Sequence, residues 1–346
     1  MLLSTGWVLQ PYFKKAALIF ACVITVLWIV ITLRFEGSTY HLKSVFVNEG
    51  QNAPRPRHAF ATILTAEGDV EFPDVEEPYF RAARLLTFQL LRNPRTRNDT
   101  YDIPFLVLVT SDVPQRHRDI LSNDGATIVP VESVERDWIH PKWGRWNDVL
   151  AKLNLWKLEE YDKITFLDAD SVVFRPIHDI FDSPTTEIRQ TQTSPQATNA
   201  TGNMPDKYMI AGIHDPWMEW AMPPVPGKEF YEKNNYMNAG FFVLHPSTQL
   251  FDYYVSLLDT PDKFDSAYPE QNLLNCAHRT DGPMPWKDIG AGWNLKGANQ
   301  AEYESGLKSI HHKWWRPIPD TFVSERIAEA VEEMEAHFRT LNETVS

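Results

Sequence analysis

The sequence predicts an α/β fold built on a mainly parallel central sheet, and three observations carry that expectation. Short apolar runs alternate with helical patterns from Ala59 to Leu167, the order that lays helices on both faces of a parallel sheet. The last run, Ile164 to Leu167, stops abruptly at Asp168-Ala169-Asp170, and open α/β sheets bind ligands just beyond the carboxyl ends of their strands. The chain has 346 residues of ordinary globular composition, enough for one large α/β domain or two smaller ones.

Each element follows from local pattern. Glu36 to Arg57 is polar, with Gly, Asn and Pro, and reads as a stem. Ala59 to Thr65 reads as a first strand, and the acidic stretch from Ala66 to Pro78, with two prolines, as a loop. Tyr79 to Leu91 has helical spacing, with Phe80, Ala83, Leu86 and Leu90 on one side. Ile103 to Thr110 reads as a buried strand, Gln115 to Asn123 as a short helix and Ala126 to Val131 as a third strand. Asn147 to Glu159 reads as a helix that Asn147 can cap. Ser183 to Pro226 is rich in Ser, Thr, Gln, Pro and Gly and reads as a long surface excursion. Beyond it come a strand over Tyr236 to His245, a helix over Pro246 to Leu258, and a helix opening at Pro269 and running to Ala277. Lys308 to Trp315 reads as a strand or strand end, and Asp320 to Leu341 as a terminal amphipathic helix.

Charge and cysteines narrow the class. The net charge is −13 with no long basic run, so nucleic acid is not an expected partner. Cys22 and Cys276 form no zinc pattern and predict no intrachain disulfide. Ala16 to Leu33 is apolar without one charge and reaches about 27 Å as a helix, close to a bilayer's hydrocarbon thickness. Lys14 and Lys15 precede it, which places the N-terminus in the cytoplasm and the large domain across the membrane. A cleaved signal peptide is the rival, though it would have a shorter apolar region and a small-residue cleavage site. Three acceptor sequons, at Asn98, Asn199 and Asn342, lie beyond the apolar segment and fit a luminal domain.

The chemistry centres on Asp168 and Asp170. Carboxylates two positions apart in an extended strand lie on one face, and a chain turn at the strand end lets them converge on one ligand. Such a turn suits a divalent cation whose other ligands are phosphate oxygens. Two acids at a strand end that merely face water are the plainer reading.

The ordered set of segments resembles a known family. AFATILT, a helix opening at Tyr79, LAKLNLWKLEEYDKITFLDADSVVF, YMNAGFFVLHPS, EQNLLN and SIHHKWW are similar to the motifs of glycogenin-like retaining glycosyltransferases, family 8 of that classification. The likeness runs from Ala59 to about Trp315. It implies a GT-A fold, a Rossmann-like nucleotide-diphospho-sugar architecture, and sugar transfer from a nucleotide diphosphate donor, UDP by expectation, with Mn²⁺. By position it makes Asp168, Asp170 and His311 metal ligands, with His312 next door leaving the register open by one. Lys152 and Lys313 then face the donor, together with Ala169. Thr62, Leu64, Thr65 and Tyr79 hold the base. Asn238 contacts sugar or acceptor, Gly240 permits close approach, and Glu270 and Gln271 take the family's Asp-Gln positions. Lys152 as a solvated helix residue, Tyr79 as core and Glu270 as a first-turn helix acid remain the plain alternatives. The tryptophans, Trp143 and Trp146 among them, read mostly as packing, with Trp217 and Trp220 the best candidates to stack on a sugar.

The resulting expectation is a membrane-anchored hexosyltransferase. Residues 1–15 form the cytoplasmic tail, 16–33 the transmembrane helix, 34–57 the stem and 58–346 a Golgi or ER luminal catalytic domain. Its partners are a UDP-sugar, a glycan, protein or lipid acceptor and the membrane, with a homodimer left open. Two alternatives stand beside it. One is a haloacid-dehalogenase-type phosphatase, which also opens on an apolar strand and a DxD. The other is a catalytically inactive relative that binds sugar nucleotide or glycan.

Overall fold

The computed structural model describes residues 57–65, 77–192, 204–215 and 235–345. The expected tail, anchor and nearly all of the stem lie outside them, as do the loop after Thr65, Trp217, Trp220 and the sequon at Asn199. Among the described residues no helix is long and apolar enough to cross a membrane.

The elements in chain order are β1 (His58–Leu64), α1 (Pro78–Leu91), β2 (Phe105–Val109), α2 (Gln115–Asp124), β3 (Thr127–Pro130), a 3₁₀ segment (Val149–Lys157), β4 (Lys163–Leu167), β5 (Ser171–Val173), β6 (Arg189–Gln190), β7 (Lys207–Tyr208), β8 (Ile210–His214), β9 (Met237–Leu244), α3 (Thr248–Leu258), α4 (Pro269–Ala277), β10 (Lys287–Asp288), α5 (Gln300–Glu304), β11 (Ser309–His311) and α6 (Thr321–Val345). Seven strands form one sheet in the order β10-β8-β9-β4-β1-β2-β3. Its pairings are parallel except where β9 runs against β4 and β8. The mainly parallel sheet read from the sequence is therefore present.

Both faces of the sheet are covered, which is why its strands read as continuous apolar runs rather than alternating ones. Leu150, Leu153 and Trp156 of the 3₁₀ segment pack with Leu250 and Tyr254 of α3 and Leu273 of α4 on one face. Phe80, Leu86 and Leu90 of α1 pack with Leu121 of α2 on the other. A third cluster joins Leu85 and Phe88 of α1 to Ile310 of β11 and to Val323, Ile327, Met334 and Phe338 of α6. It fixes β11, and hence His311, against the body of the domain.

Two expectations are corrected. Val149–Lys157 is a 3₁₀ segment, not an α-helix, and Asn147 closes the preceding 3₁₀ turn instead of capping it. Every residue from Val149 to Trp156 is buried, so packing on all sides, not helix propensity, sets the winding. The stretch from Ser183 onward is not all irregular: β8 lies inside the sheet with all five residues buried. Its run Ile-Ala-Gly-Ile is short and lacks a period, and Gly212 at its centre leaves room for Met237, whose Sδ would be 2.8 Å from a Cβ there.

Candidate active site

Three backbone registers assemble the site. β4 ends opposite β9, with Leu167 paired to Phe241, so the Asp168 N–H donates to Gly240 O at 2.8 Å. The chain then turns, with the Ser171 N–H donating to Asp168 O at 2.9 Å. The turn brings one carboxylate oxygen of each aspartate towards His311 Nε2. β5 leaves the turn and pairs antiparallel with β11, which sets His311 opposite Ser171. The His312 N–H donates to Asp170 O at 3.0 Å and closes the arrangement.

Each aspartate divides its oxygens. Asp168 Oδ1 lies 2.9 Å from Lys152 Nζ, and Asp168 Oδ2 is 3.7 Å from His311 Nε2. Asp170 Oδ1 lies 3.0 Å from the same Nε2, and Asp170 Oδ2 is 3.4 Å from Lys313 Nζ. One ligand atom from each of Asp168, Asp170 and His311 therefore falls within 4.8 Å of the others. Two hard carboxylate oxygens and an imidazole nitrogen are a fitting donor set for a divalent cation with room for phosphate oxygens. His311 supplies the imidazole; His312 Nε2 is buried and meets no hydrogen-bond partner.

The charges follow from the packing. Burial alone would raise the Asp170 carboxyl, but His311 and Lys313 beside it hold it well below the usual carboxylate range. Burial alone would lower the Lys152 ammonium, but Asp168 and Glu270 hold it above its usual value. Lys152 is 4% exposed and its Nζ also lies 2.9 Å from Glu270 Oε1. It is a buried cation shared by two acids on different elements, not a solvated helix residue.

These groups border a cavity of about 480 Å³. Thr65, Tyr79, Lys152, Asp168, Ala169, Asp170, Asn238, Gly240, Glu270, Gln271, His311 and Lys313, all expected from the sequence, line it. Lys313 Nζ donates to Tyr79 Oη, and Lys313 also sits 4.4 Å over the Tyr79 ring. Thr62 and Leu64 do not line it. Both are buried in the sheet, and because side chains alternate along a strand, Ile63 takes the cavity side instead. Gln271 is a bridge: its Oε1 accepts from the Ala239 N–H at 2.9 Å, and its Nε2 donates to Asp215 Oδ2 at 2.8 Å.

Sequence reasoning missed Asp215, Trp146, Tyr268, Lys296 and Arg316, which also line the cavity. Asp215 carried the same signal as Asp168, a carboxylate just past a short apolar run. It is masked because the sequence from Ser183 to Pro226 reads as a surface excursion and hides β8. Trp146 ends a three-residue 3₁₀ turn (Gly144–Trp146), Tyr268 caps α4, and Lys296 and Arg316 lie on loops, where no periodicity marks them.

An uncharacterised protein of Schizosaccharomyces pombe is 25% identical over 343 residues, covering 86% of this chain and 87% of that one. Galactinol synthase 7 of Arabidopsis thaliana is 28% identical over 242 residues, 66% of this chain and 63% of that protein. The crystal structure of the galactosyltransferase LgtC, in complex with donor and acceptor sugar analogs, aligns with a TM-score of 0.47 at 13% identity, over 80% of this chain and 95% of that one. The profile described as Glycosyl transferase family 8 matches residues 75–313. That span runs from the start of α1 to Lys313, so it takes in both aspartates and the histidine that the folding brings to them. A sugar-transferring enzyme with a GT-A-like sheet is what the match implies, and the chain belongs to glycosyl transferase family 8.

Proposed function

We propose that the chain moves a sugar from a UDP donor to a hydroxyl acceptor with retention of configuration, using Mn²⁺ held by Asp168, Asp170 and His311. The observation that carries this reading is the division of the two carboxylates. Their outer oxygens pair with Lys152 and Lys313, while their inner oxygens converge on His311 Nε2. These residues would hold a divalent cation, which would offset charge on a diphosphate leaving group.

The chain's own residues do the rest. Lys313 sets a point charge beside the diphosphate. Thr65 and Tyr79 border the same end of the cavity and are assigned to the base. Asn238, Gln271, Asp215 and Glu270 face the sugar and acceptor hydroxyls, and Gln271 or Glu270 steadies the oxocarbenium-like centre. Front-face attack by the acceptor hydroxyl, with the leaving phosphate taking its proton, accounts for retention without a protein nucleophile. The same reading includes a type II anchor over residues 16–33, a catalytic domain in the Golgi or ER lumen, and the homodimer left open above.

Family membership removes the phosphatase alternative, and the inactive-relative alternative is an outcome of the test. Asp170→Ala is expected to abolish Mn²⁺-dependent hydrolysis of a UDP-sugar, and with it calorimetric binding of UDP in the presence of Mn²⁺. Undiminished hydrolysis in that variant overturns the metal assignment. UDP binding without turnover, on any UDP-sugar, points to the inactive relative.

A further inference from the structure

Lys296 lines the cavity, and the loop that carries it is fastened on both sides. Before it, Asn294 Nδ2 donates to Ser309 Oγ at 2.8 Å. The Leu295 N–H donates to Ser309 O at 3.2 Å, and Leu295 O accepts from the His311 N–H at 3.0 Å. The Leu295 side chain is buried in the cluster of Ile310 and Val323. After it, Gly297 turns the chain at a φ of 75°, a left-handed angle that glycine adopts without strain. Ala298 then returns to the same apolar cluster, and Asn299 caps α5, its Oδ1 accepting from the Glu302 N–H at 3.1 Å. Lys296 is thus an exposed side chain on backbone held beside the strand that carries His311. Its ammonium is near enough to oppose protonation of the His311 ring.

The two lysines already described are committed within the protein. Lys152 Nζ lies 2.9 Å from Asp168 and 2.9 Å from Glu270. Lys313 Nζ lies 3.4 Å from Asp170 Oδ2 and donates to Tyr79 Oη. It also stands 4.4 Å from the Tyr79 ring centroid and 5.3 Å from that of Trp315. Among the described residues the Lys296 side chain has no hydrogen-bond or ion-pair partner. Formal charge points the same way. The acids on the lining are Asp168, Asp170, Asp215 and Glu270. A divalent cation would offset the first two, and Lys152 and Lys313 offset the others. The Lys296 charge then finds no counter-charge among the cavity's own acids, and a ligand has to bring it.

We infer that Lys296 is a second cation for the donor's diphosphate, donating to a phosphate oxygen from the His311 side of the site while Lys313 acts from the Asp170 side. The inference rests on the transferase reading proposed above. As the bond between the anomeric carbon and the phosphate oxygen breaks, its electron pair passes to that oxygen. The acceptor oxygen bonds to the same carbon, and the acceptor proton passes to the leaving phosphate. Lys296 keeps its own protons throughout and offsets the charge that grows on the leaving group. An ammonium on a long stem suits that task, because it is a compact charge with three donors that can follow the moving oxygen. The groups assigned to sugar and acceptor, Asp215, Glu270 and Gln271, belong to β8 and α4 and not to this loop.

The test compares UDP with uridine, which lacks the phosphates, as ligands of the full chain with Mn²⁺. UDP is titrated by calorimetry, uridine binding is read by ligand-observed magnetic resonance, and hydrolysis of UDP-sugars is measured in parallel. Lys296→Ala is expected to weaken UDP binding by roughly 10- to 100-fold, the worth of one hydrogen bond to a charged group. Uridine binding should stay as it was, and Lys296→Arg should recover most of the loss. Hydrolysis should fall in Lys296→Ala by at least as much as UDP affinity does. Thermal melts of both variants confirm that they fold. Unchanged UDP affinity and hydrolysis in Lys296→Ala overturn the inference. An equal loss for uridine and UDP overturns it too, by moving Lys296 to the nucleoside, and so does a loss that arginine leaves unrepaired. Absence of UDP binding in the unaltered chain instead overturns the transferase reading beneath it.

Discussion

The imidazole of His311 occupies the space that a side chain on Gly240 would need. A Cβ built on Gly240 would lie 2.6 Å from His311 Nδ1 and 2.9 Å from Asn238 Oδ1. Glycine is thus required on β9 not for an unusual backbone angle but because the His311 ring, proposed above as a metal ligand, lies against it. The Asn238 side chain completes the fit, its Oδ1 accepting from the Gly240 N–H at 2.7 Å.

Gly240→Ala follows directly. The added methyl group must displace the His311 ring and also press on Asn238 Oδ1. Mn²⁺ affinity and turnover are expected to fall by about 10- to 100-fold, the usual cost of misplacing a ligand's support. Titration of the purified variant with Mn²⁺, followed by paramagnetic resonance, checks this. Unchanged affinity would falsify the packing argument.

Lys152→Met tests the buried cation. It removes the one charge that Asp168 and Glu270 share and leaves two acids uncompensated in the interior. Breaking a buried pair costs about 3–5 kcal/mol, and the partial exposure of Asp168, 25% for its side chain, places the expected loss at the lower end. Adding Glu270→Gln should restore part of it, since neighbouring groups are not additive. Mn²⁺ should restore a further part by compensating Asp168. Urea unfolding of the single and double variants, with and without metal, reads all three effects.

Much of this was legible in the sequence, and the reasons are physical. The first strands, α1 and α4 were readable because parallel strands buried on both faces give unbroken apolar runs, because Tyr79 to Leu91 has helical spacing, and because Pro269 marks a helix start. Asp168, Asp170 and His311 were readable as candidates, but which of His311 and His312 faces the aspartates was not. That depends on the β5–β11 register, a pairing of segments some 140 residues apart. β8 was illegible because five residues with a central glycine carry no period. Thr62 and Leu64 miss the cavity, and Ile63 reaches it, because side chains alternate along a strand.

Gln271 joins two groups that sequence reading could not connect. Gln271→Met keeps the bulk but drops both bonds, so the Ala239 N–H loses its acceptor and Asp215 loses the donor that aims it. An unmade buried hydrogen bond costs about 1–3 kcal/mol, which should lower the melting temperature. The larger effect is expected on turnover, because misplacing a positioning group can cost roughly 100-fold. A fall in kcat with little change in the donor KM supports a role on the sugar. A rise in the donor KM alone would assign Gln271 to binding only.

Away from the cavity, His278 contributes to the pH dependence of stability. It is fully buried, with its Nδ1 2.7 Å from Met284 O and its Nε2 2.6 Å from Tyr254 Oη. The neutral ring satisfies both contacts when Nδ1 carries the proton and the tyrosine hydroxyl donates to Nε2. Burial pushes the folded pKa down to about 4, from an unfolded value near 6.5. Below 6.5 the unfolded chain takes up a proton that the folded chain refuses. The contribution is therefore complete above pH 6.5 and is lost as pH falls towards 4, about 3 kcal/mol in all. His278→Gln, which does not titrate, should lower stability at pH 7 but flatten its decline between pH 6.5 and 4. Denaturant midpoints across that window decide it, and an unaltered slope in the variant would mean that other groups carry the acid sensitivity.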